Sequence, residues 1–175
     1  KVVVIYDLGG GTFDAAAVSL EQRDFAVLAT DGRAELGGDD FDHILARLAL
    51  NEAGRDLASL PPTAQSVLLE ECRERKEGLK PNTRKVLIDL SLADPDATAV
   101  TLPTDAIYAA AEPLVAESVR AVTALLEKLQ QDGVDPNEGP TLAAVYLVGG
   151  SVAFPLVGRT LREVFGRKVK TSPFP

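Results

Sequence analysis

The stretch that decides the fold is Val2-Val3-Val4-Ile5-Tyr6-Asp7-Leu8-Gly9-Gly10-Gly11-Thr12-Phe13-Asp14. Its first five residues are apolar and mostly β-branched with no polar position among them, the pattern of a strand in the middle of a sheet covered on both faces. The strand stops at a carboxylate, Asp7. Three glycines follow, whose backbone is free to take positive φ and to bring bare amides close to a ligand, for which an anion is the natural partner. A Walker loop is excluded because no Gly-Lys-Ser/Thr closes the turn. A dinucleotide fingerprint is excluded because the third spaced glycine and the following helix are missing. Thr12–Leu20 continues with strand-like residues, so the unit reads as strand, tight turn, strand. The turn either faces a phosphate or is a tight hairpin with no ligand.

Outward from this hairpin, Asp24–Asp31 reads as a third strand joined through Glu21-Gln22-Arg23, which makes a meander. A polar loop, Asp31–Glu35, delivers a second glycine pair, Gly37-Gly38. A helix capped by Asp39 follows, with Phe41, Ile44, Leu45 and Leu48 on one face. Gly54 and Pro61-Pro62 interrupt the pattern before Thr63 caps a helix running to about Leu79. That helix has Leu68, Cys72 and Leu79 inside and a charged outer face of Arg73, Glu74, Arg75, Lys76 and Glu77. Strands at Lys85–Leu92 and Ala97–Leu102 flank the turn Asp94-Pro95-Asp96. Thr104 caps a short helix to Ala111, and Pro113, favoured at a first helical position, opens another that runs to Gln131. After the polar loop Gly133–Pro140 comes a second apolar strand, Leu142–Val148, which enters Gly149-Gly150-Ser151. A helix over Pro155–Phe165, with Val157, Leu161, Val164 and Phe165 inward, and a last strand at Arg167–Lys170 complete the chain. Ligands of α/β sheets gather beyond the carboxyl ends of strands, and helix N-termini favour anions. The three glycine sites are therefore expected to converge on one nucleotide.

Composition narrows the class. The 175 residues suffice for one domain or one lobe of a larger one. A net charge of -8 argues against nucleic acid as a partner. No apolar run approaches a membrane span and no signal peptide is visible. The single cysteine, Cys72, cannot form an internal disulfide, so the cytoplasm is the default compartment. Without a methionine and starting inside an apolar strand, the sequence reads as a piece of a longer protein. His43 is the only histidine and has no metal ligand at suitable spacing. One His and one Cys assemble neither a zinc site nor a nucleophilic triad. Asp39 and Asp40 read as helix caps rather than catalytic groups.

Asp7–Asp14 (DLGGGTFD), Leu36–Asp42 (LGGDDFD) and Val148–Ser151 (VGGS), with Pro155 following, resemble the second lobe of the ATPase domain of 70-kilodalton heat-shock chaperones of the DnaK type. The resemblance covers nearly the whole chain, in order and spacing, and actin and the sugar kinases do not share all three strings. It implies an α/β, actin-like (ribonuclease H-like) ATPase lobe. In it a sheet-and-helix subdomain, residues 1–36 and 105–175, holds an inserted helical and hairpin subdomain, residues 37–104. It further implies ATP or ADP with Mg²⁺ as ligand. Asp7 would hold the metal through water, with Asp14 near a bound cation. Gly10, Gly11 and Thr12 would bind the β/γ-phosphates, with Thr12 also positioning the attacking water and Gly9 beside them in the nucleotide site. Gly37, Gly38, Lys76, Gly149, Gly150 and Ser151 would line the rest of the nucleotide site. Such roles suit phosphoryl transfer, which asks for charge neutralisation and in-line positioning.

The chain departs from the family on the base side. Where the family presents Glu, Lys, Arg and Ser to the adenosine, this chain has Arg73, Lys76, Glu77 and Lys80. Where an Arg stacks on adenine, it has Ala153, after Val152. A largely preserved phosphate site with altered adenine recognition is expected. The resemblance also implies a facing first lobe that completes catalysis, a peptide-binding domain, and nucleotide exchange factors that grip residues 53–102. An actin-like pseudo-ATPase or regulatory scaffold is the alternative.

Overall fold

The computed structural model describes residues 1–21, 24–131 and 142–171. The Gln22-Arg23 link, the Gly133–Pro140 loop and the last four residues lie outside the described residues. By its internal contacts the chain divides into two compact units, Lys1–Gly38 with Leu114–Pro175, and Asp39–Pro113. The family resemblance implies borders after residues 36 and 104 instead.

The first unit holds a five-stranded mixed sheet. Strands β1 (Val2–Leu8), β2 (Phe13–Glu21) and β3 (Asp24–Arg33) form an antiparallel meander, and β6 (Leu142–Val148) and β7 (Val169–Thr171) add in parallel, giving the order β3-β2-β1-β6-β7. Helix α4 (Pro155–Phe165) supplies the crossover that parallel β6 and β7 require. β1 is central, but burial on both faces does not hold along its length. Val2, Val4, Tyr6 and Leu8 are buried on one face; on the other Val3 is buried, Ile5 is 39% exposed and Asp7 is exposed. Cover thus thins toward the carboxylate. β3 continues to Arg33 instead of ending at Asp31, because Gly32 and Arg33 stay in register with Asp14 and Phe13. On α4, Val157 and Leu161 are buried as expected, whereas Val164 is 53% exposed at the end of the helix.

The second unit begins with α1 (Gly38–Glu52), whose Asp39 and Asp40 lie in the first turn, where they favour the positive end of the helix dipole. Asp39 is therefore not the cap. Helix α2 (Pro62–Glu77) likewise starts one residue before Thr63, with Pro62 at its first position. Strand β4 stops at Ile88, well short of Leu92, since the Asp89 carboxylate accepts from Ser91 N at 3.0 Å and Ser91 Oγ at 2.6 Å and turns Leu90–Leu92 into a 3-10 turn. Its partner β5 is Val100–Pro103, shorter than Ala97–Leu102 at its start.

The expected pair of helices around Pro113 is one helix, α3 (Thr104–Gln131). Pro113 removes the bond to the Ala109 carbonyl, a loss of about 3 kcal/mol in an isolated helix. Strong helix formers flank it on both sides, and Ala111 and Val115 are buried. Packing of the two halves thus outweighs one missing hydrogen bond. Thr104 does not cap: its hydroxyl donates to Thr83 O at 2.9 Å. Deeper in α3, Ser118 Oγ donates to Val115 O at 2.7 Å, which leaves its lone pair for the Tyr6 hydroxyl, also at 2.7 Å. This relay ties α3 to β1 under the sheet, and the Tyr6 ring packs on Phe13 with centroids 4.8 Å apart.

Tyr6→Phe deletes the donor to Ser118 and is expected to cost about 1 kcal/mol, read as a lower urea midpoint at pH 7. Burial pushes the Tyr6 hydroxyl from 10.0 up to about 12. Above pH 10 the unfolded chain therefore loses this proton before the folded one, and stability falls as pH rises toward 12. Tyr6→Phe is expected to remove that part of the alkaline loss.

Candidate functional site

Leu8 and Phe13 are the last paired residues of the first hairpin, so Gly9-Gly10-Gly11-Thr12 forms its turn, closed by Gly9 N donating to Thr12 O at 2.9 Å. Positive φ is not how this turn is made; among the described residues it occurs at Gly54, Gly149 and Gly166. What the turn needs is space. A Cβ on Gly37 would lie 2.3 Å from the Gly10 carbonyl oxygen and 2.8 Å from Gly11 N, so the second glycine pair sits directly against the first. Gly38 N, at the start of α1, donates to Gly9 O at 2.9 Å.

The third glycine site closes on the same place. Gly149 follows β6, the parallel neighbour of β1, and takes φ 90°. A Cβ there would fall 2.4 Å from Leu8 O and 2.6 Å from the Asp7 carboxylate. From Gly149 the chain enters a 3-10 turn, Gly150–Ala153, which leads to α4 and leaves Ser151 half-buried. The structure thus brings Asp7, Gly9–Thr12, Gly37-Gly38 and Gly149–Ser151 together at the carboxyl ends of β1 and β6.

Asp14 completes the group. It stands directly opposite Asp7 in the β1–β2 register, and both side chains are exposed. Like charges facing each other across strands are destabilising, and a hard cation that takes oxygen ligands and keeps its waters relieves the repulsion. The donor set fits such an ion held by two carboxylates, water and a ligand's own oxygens. No cluster of three acidic, His or Cys side chains that could hold a metal occurs among the described residues. Gly32, opposite Asp14, was read as part of a loop. A Cβ on it would lie 2.7 Å from an Asp14 oxygen, so this glycine makes room for the carboxylate. A glycine inside a strand pattern is the sequence signal for such close approach.

In the second unit Lys76 is not on a solvated face. Its ammonium lies 2.6 Å from Asp42 Oδ1, and the two side chains are only 8% and 5% exposed. Arg73 bonds Asp39 at 2.9 Å and reaches Asp42 at 3.6 Å, so α1 and α2 are joined by ion pairs. Burial raises the Asp42 carboxyl above its ordinary value, against the opposing pull of Lys76 and Arg73. Asp42 was missed because only its tertiary partner marks it out. Arg73, Asp39, His43, Ser66 and Glu70 line a shallow cleft beside this pair. Glu77 and Lys80 are exposed. His43 Nδ1 meets Asp39 O at 2.8 Å, a structural contact. Cys72 is fully buried, and desolvation pushes its thiol up to about 12, so it carries no thiolate at neutral pH.

The glycine contacts give a paired expectation. Gly149→Ala forces a methyl into Leu8 O and the Asp7 carboxylate, at a φ that L residues rarely adopt, whereas Gly150 has open space around its Cβ position. Gly149→Ala is expected to cost at least about 2 kcal/mol and Gly150→Ala within about 0.5 kcal/mol, compared by thermal denaturation.

Comparison with known proteins agrees with this geometry. The family model described as Hsp70 protein matches residues 1–173. A chaperone protein HscA homolog of Azotobacter vinelandii is 38% identical over 179 residues, covering 97% of this chain and 25% of the relative. The HscA homolog of Burkholderia mallei is 36% identical over 165 residues, covering 93% of this chain and 25% of the relative. The chain therefore spans about a quarter of the length of these curated relatives. Hsp70 ATPase domains are actin-like and bind ATP or ADP with Mg²⁺. The mixed sheet flanked by helices, the three glycine strings and the extent of the match lead to one assignment: this chain belongs to the Hsp70 family.

Proposed function

We propose that this chain forms the second lobe of the ATP-binding domain of a heat-shock-type chaperone and holds the phosphates and metal of the nucleotide. The observation that carries the reading is the packing of three glycine sites around Asp7, which puts exposed glycine backbone and the Asp7 and Asp14 carboxylates in one corner. Asp7 and Asp14 would hold Mg²⁺ or a companion cation, the metal neutralising charge on the phosphates. Gly9–Thr12 would follow the β/γ-phosphates, and the Thr12 hydroxyl would orient water. Gly37, Gly38, Gly149, Gly150 and Ser151 would flank the remainder of the nucleotide. Hydrolysis would need the facing lobe, which lies outside these residues. A peptide-binding domain in the same protein, an exchange factor on residues 53–102 and a cytoplasmic setting belong to the same proposal.

On the base side the contacts are weaker. Two stacked guanidinium contacts worth about 0.5–2 kcal/mol each are replaced by Glu77 and Ala153, which amounts to roughly one to three decades of affinity. Lys76, held at Asp42, supports a structural role for the one adenosine-side residue retained. That observation favours the second reading, a regulatory member with weakened nucleotide dependence.

Calorimetry on the full-length protein tests the phosphate site. Asp7→Asn is expected to weaken MgADP binding by roughly ten- to a hundredfold, the worth of a charge-assisted contact. Asp14→Asn relieves the repulsion with Asp7, so it is expected to raise the melting temperature slightly in EDTA while weakening MgADP. Unchanged affinity in both variants would refute the site.

A further inference from the structure

Gly32 is a paired residue of β3, opposite Asp14 of β2, where a glycine offers the sheet no side chain to pack. Its backbone does not call for glycine, since its φ is not positive, unlike those of Gly54, Gly149 and Gly166. Packing of the fold does not call for it in the way it does at Gly37 and Gly149. At those two positions the atom nearest to an added Cβ is a backbone carbonyl oxygen, at 2.3 and 2.4 Å. At Gly32 it is Asp14 Oδ1, at 2.7 Å, the far end of an exposed side chain, while the nearest backbone atom, Phe13 O, lies at 3.1 Å.

The Asp14 carboxylate therefore has an oxygen lying over β3, and the Asp7 carboxylate has one lying over Gly149, 2.6 Å from where its Cβ would be. β3 and β6 flank the β1–β2 pair on opposite sides, in the order β3-β2-β1-β6. Each carboxylate thus fills the space of a missing side chain on its own outer side, which separates two like charges that face each other across the strands. Among the described residues Asp14 forms no ion pair that would set its direction instead. Arg33, next to Gly32, is turned to the opposite face of the sheet, where it stands opposite buried Phe13 and bonds Asp31 at 2.8 Å and Glu117 of α3 at 3.2 Å. The same residues hold the Gly32 backbone. Its amide donates to Asp31 Oδ1 at 2.8 Å, and its carbonyl accepts from Arg33 Nη1 at 2.7 Å. A methyl on Gly32 consequently moves the carboxylate before it moves the strand.

We propose that Gly32 is a positioning residue for Asp14: the missing side chain at this point of β3 lets the Asp14 carboxylate lean outward from Asp7, and so sets the arrangement that a cation at the phosphate corner meets. The proposal rests on the reading of Asp7 and Asp14 as the groups that hold the cation. It assigns part of the ligand affinity to a residue that acts only through another, as the partners behind a metal ligand commonly do. It also separates Gly32 from Gly37 and Gly149. Those two are required by backbone contacts, whereas Gly32 can be filled at the expense of one side chain's direction.

The test is a double-mutant cycle on the full-length protein, with MgADP affinity read by calorimetry for wild type, Gly32→Ala, Asp14→Ala and the two together. Gly32→Ala is expected to weaken MgADP by about tenfold or more while Asp14 is present, and by less than about twofold once residue 14 is alanine. An equal loss in both backgrounds would show that Gly32 acts through the fold and would overturn the proposal. Wild-type affinity in Gly32→Ala, with Asp14→Ala weakened, would overturn it too and leave the cation site standing. Wild-type affinity in Asp14→Ala would overturn the reading of the site itself, and this proposal with it. Melting temperatures in EDTA cover the case in which Gly32→Ala is destabilised. The double variant is then expected to melt with Asp14→Ala alone, because the methyl meets the carboxylate first; a deficit that persists there would place the conflict at Phe13 O and refute the positioning role.

Discussion

The fold of the first unit depends on how closely three stretches of bare backbone approach at the end of β1. Leu8 O and the Asp7 carboxylate lie where a side chain on Gly149 would be, and the Gly10 carbonyl lies where one on Gly37 would be. A methyl group at either point collides at under 2.5 Å. Glycine at these positions is thus a packing requirement before it is anything else. The same closeness leaves a corner of glycine backbone beside the exposed Asp7 and Asp14. Structure and chemistry are served by one constraint.

A second constraint is electrostatic. Antiparallel pairing fixes Asp7 opposite Asp14, and no shift of register by one residue is open to the strand without sending Tyr6 and Leu8 to the less covered face. The repulsion is therefore built into the hairpin and available to a cation. In the second unit the opposite solution appears: Asp42 and Lys76 neutralise each other inside the protein, where a buried charge without its partner would be costly.

Much of this was legible from the residues. Apolar runs ending in glycine located β1 and β6, and the spacing of Leu68 and Cys72 located the inner face of α2. The convergence of the three glycine sites followed from their shared position at strand ends. What was not legible was decided by longer-range competition. Pro113 was read as a helix start because the local rule favours it there, but buried Ala111 and Val115 on either side keep α3 continuous. Lys76 reads as either a nucleotide contact or part of a solvated charge run, and nothing nearby in sequence announces Asp42, which holds it. Gly9–Gly11 are free to take positive φ, yet it occurs at Gly149, since the need for glycine in the turn comes from Gly37 packing against it. Gly32 was assigned to a loop, while the register of β3 with β2 places it under Asp14.

If the proposed site is right, nucleotide binding resides in the phosphate corner and little of it in the base. The most direct measurement compares ADP, GDP and pyrophosphate, each with Mg²⁺, on the full-length protein by calorimetry. ADP and GDP are expected to differ by less than about tenfold, and pyrophosphate is expected to retain much of the binding energy. Binding of ADP more than about a hundredfold tighter than GDP, with pyrophosphate not bound, would contradict this.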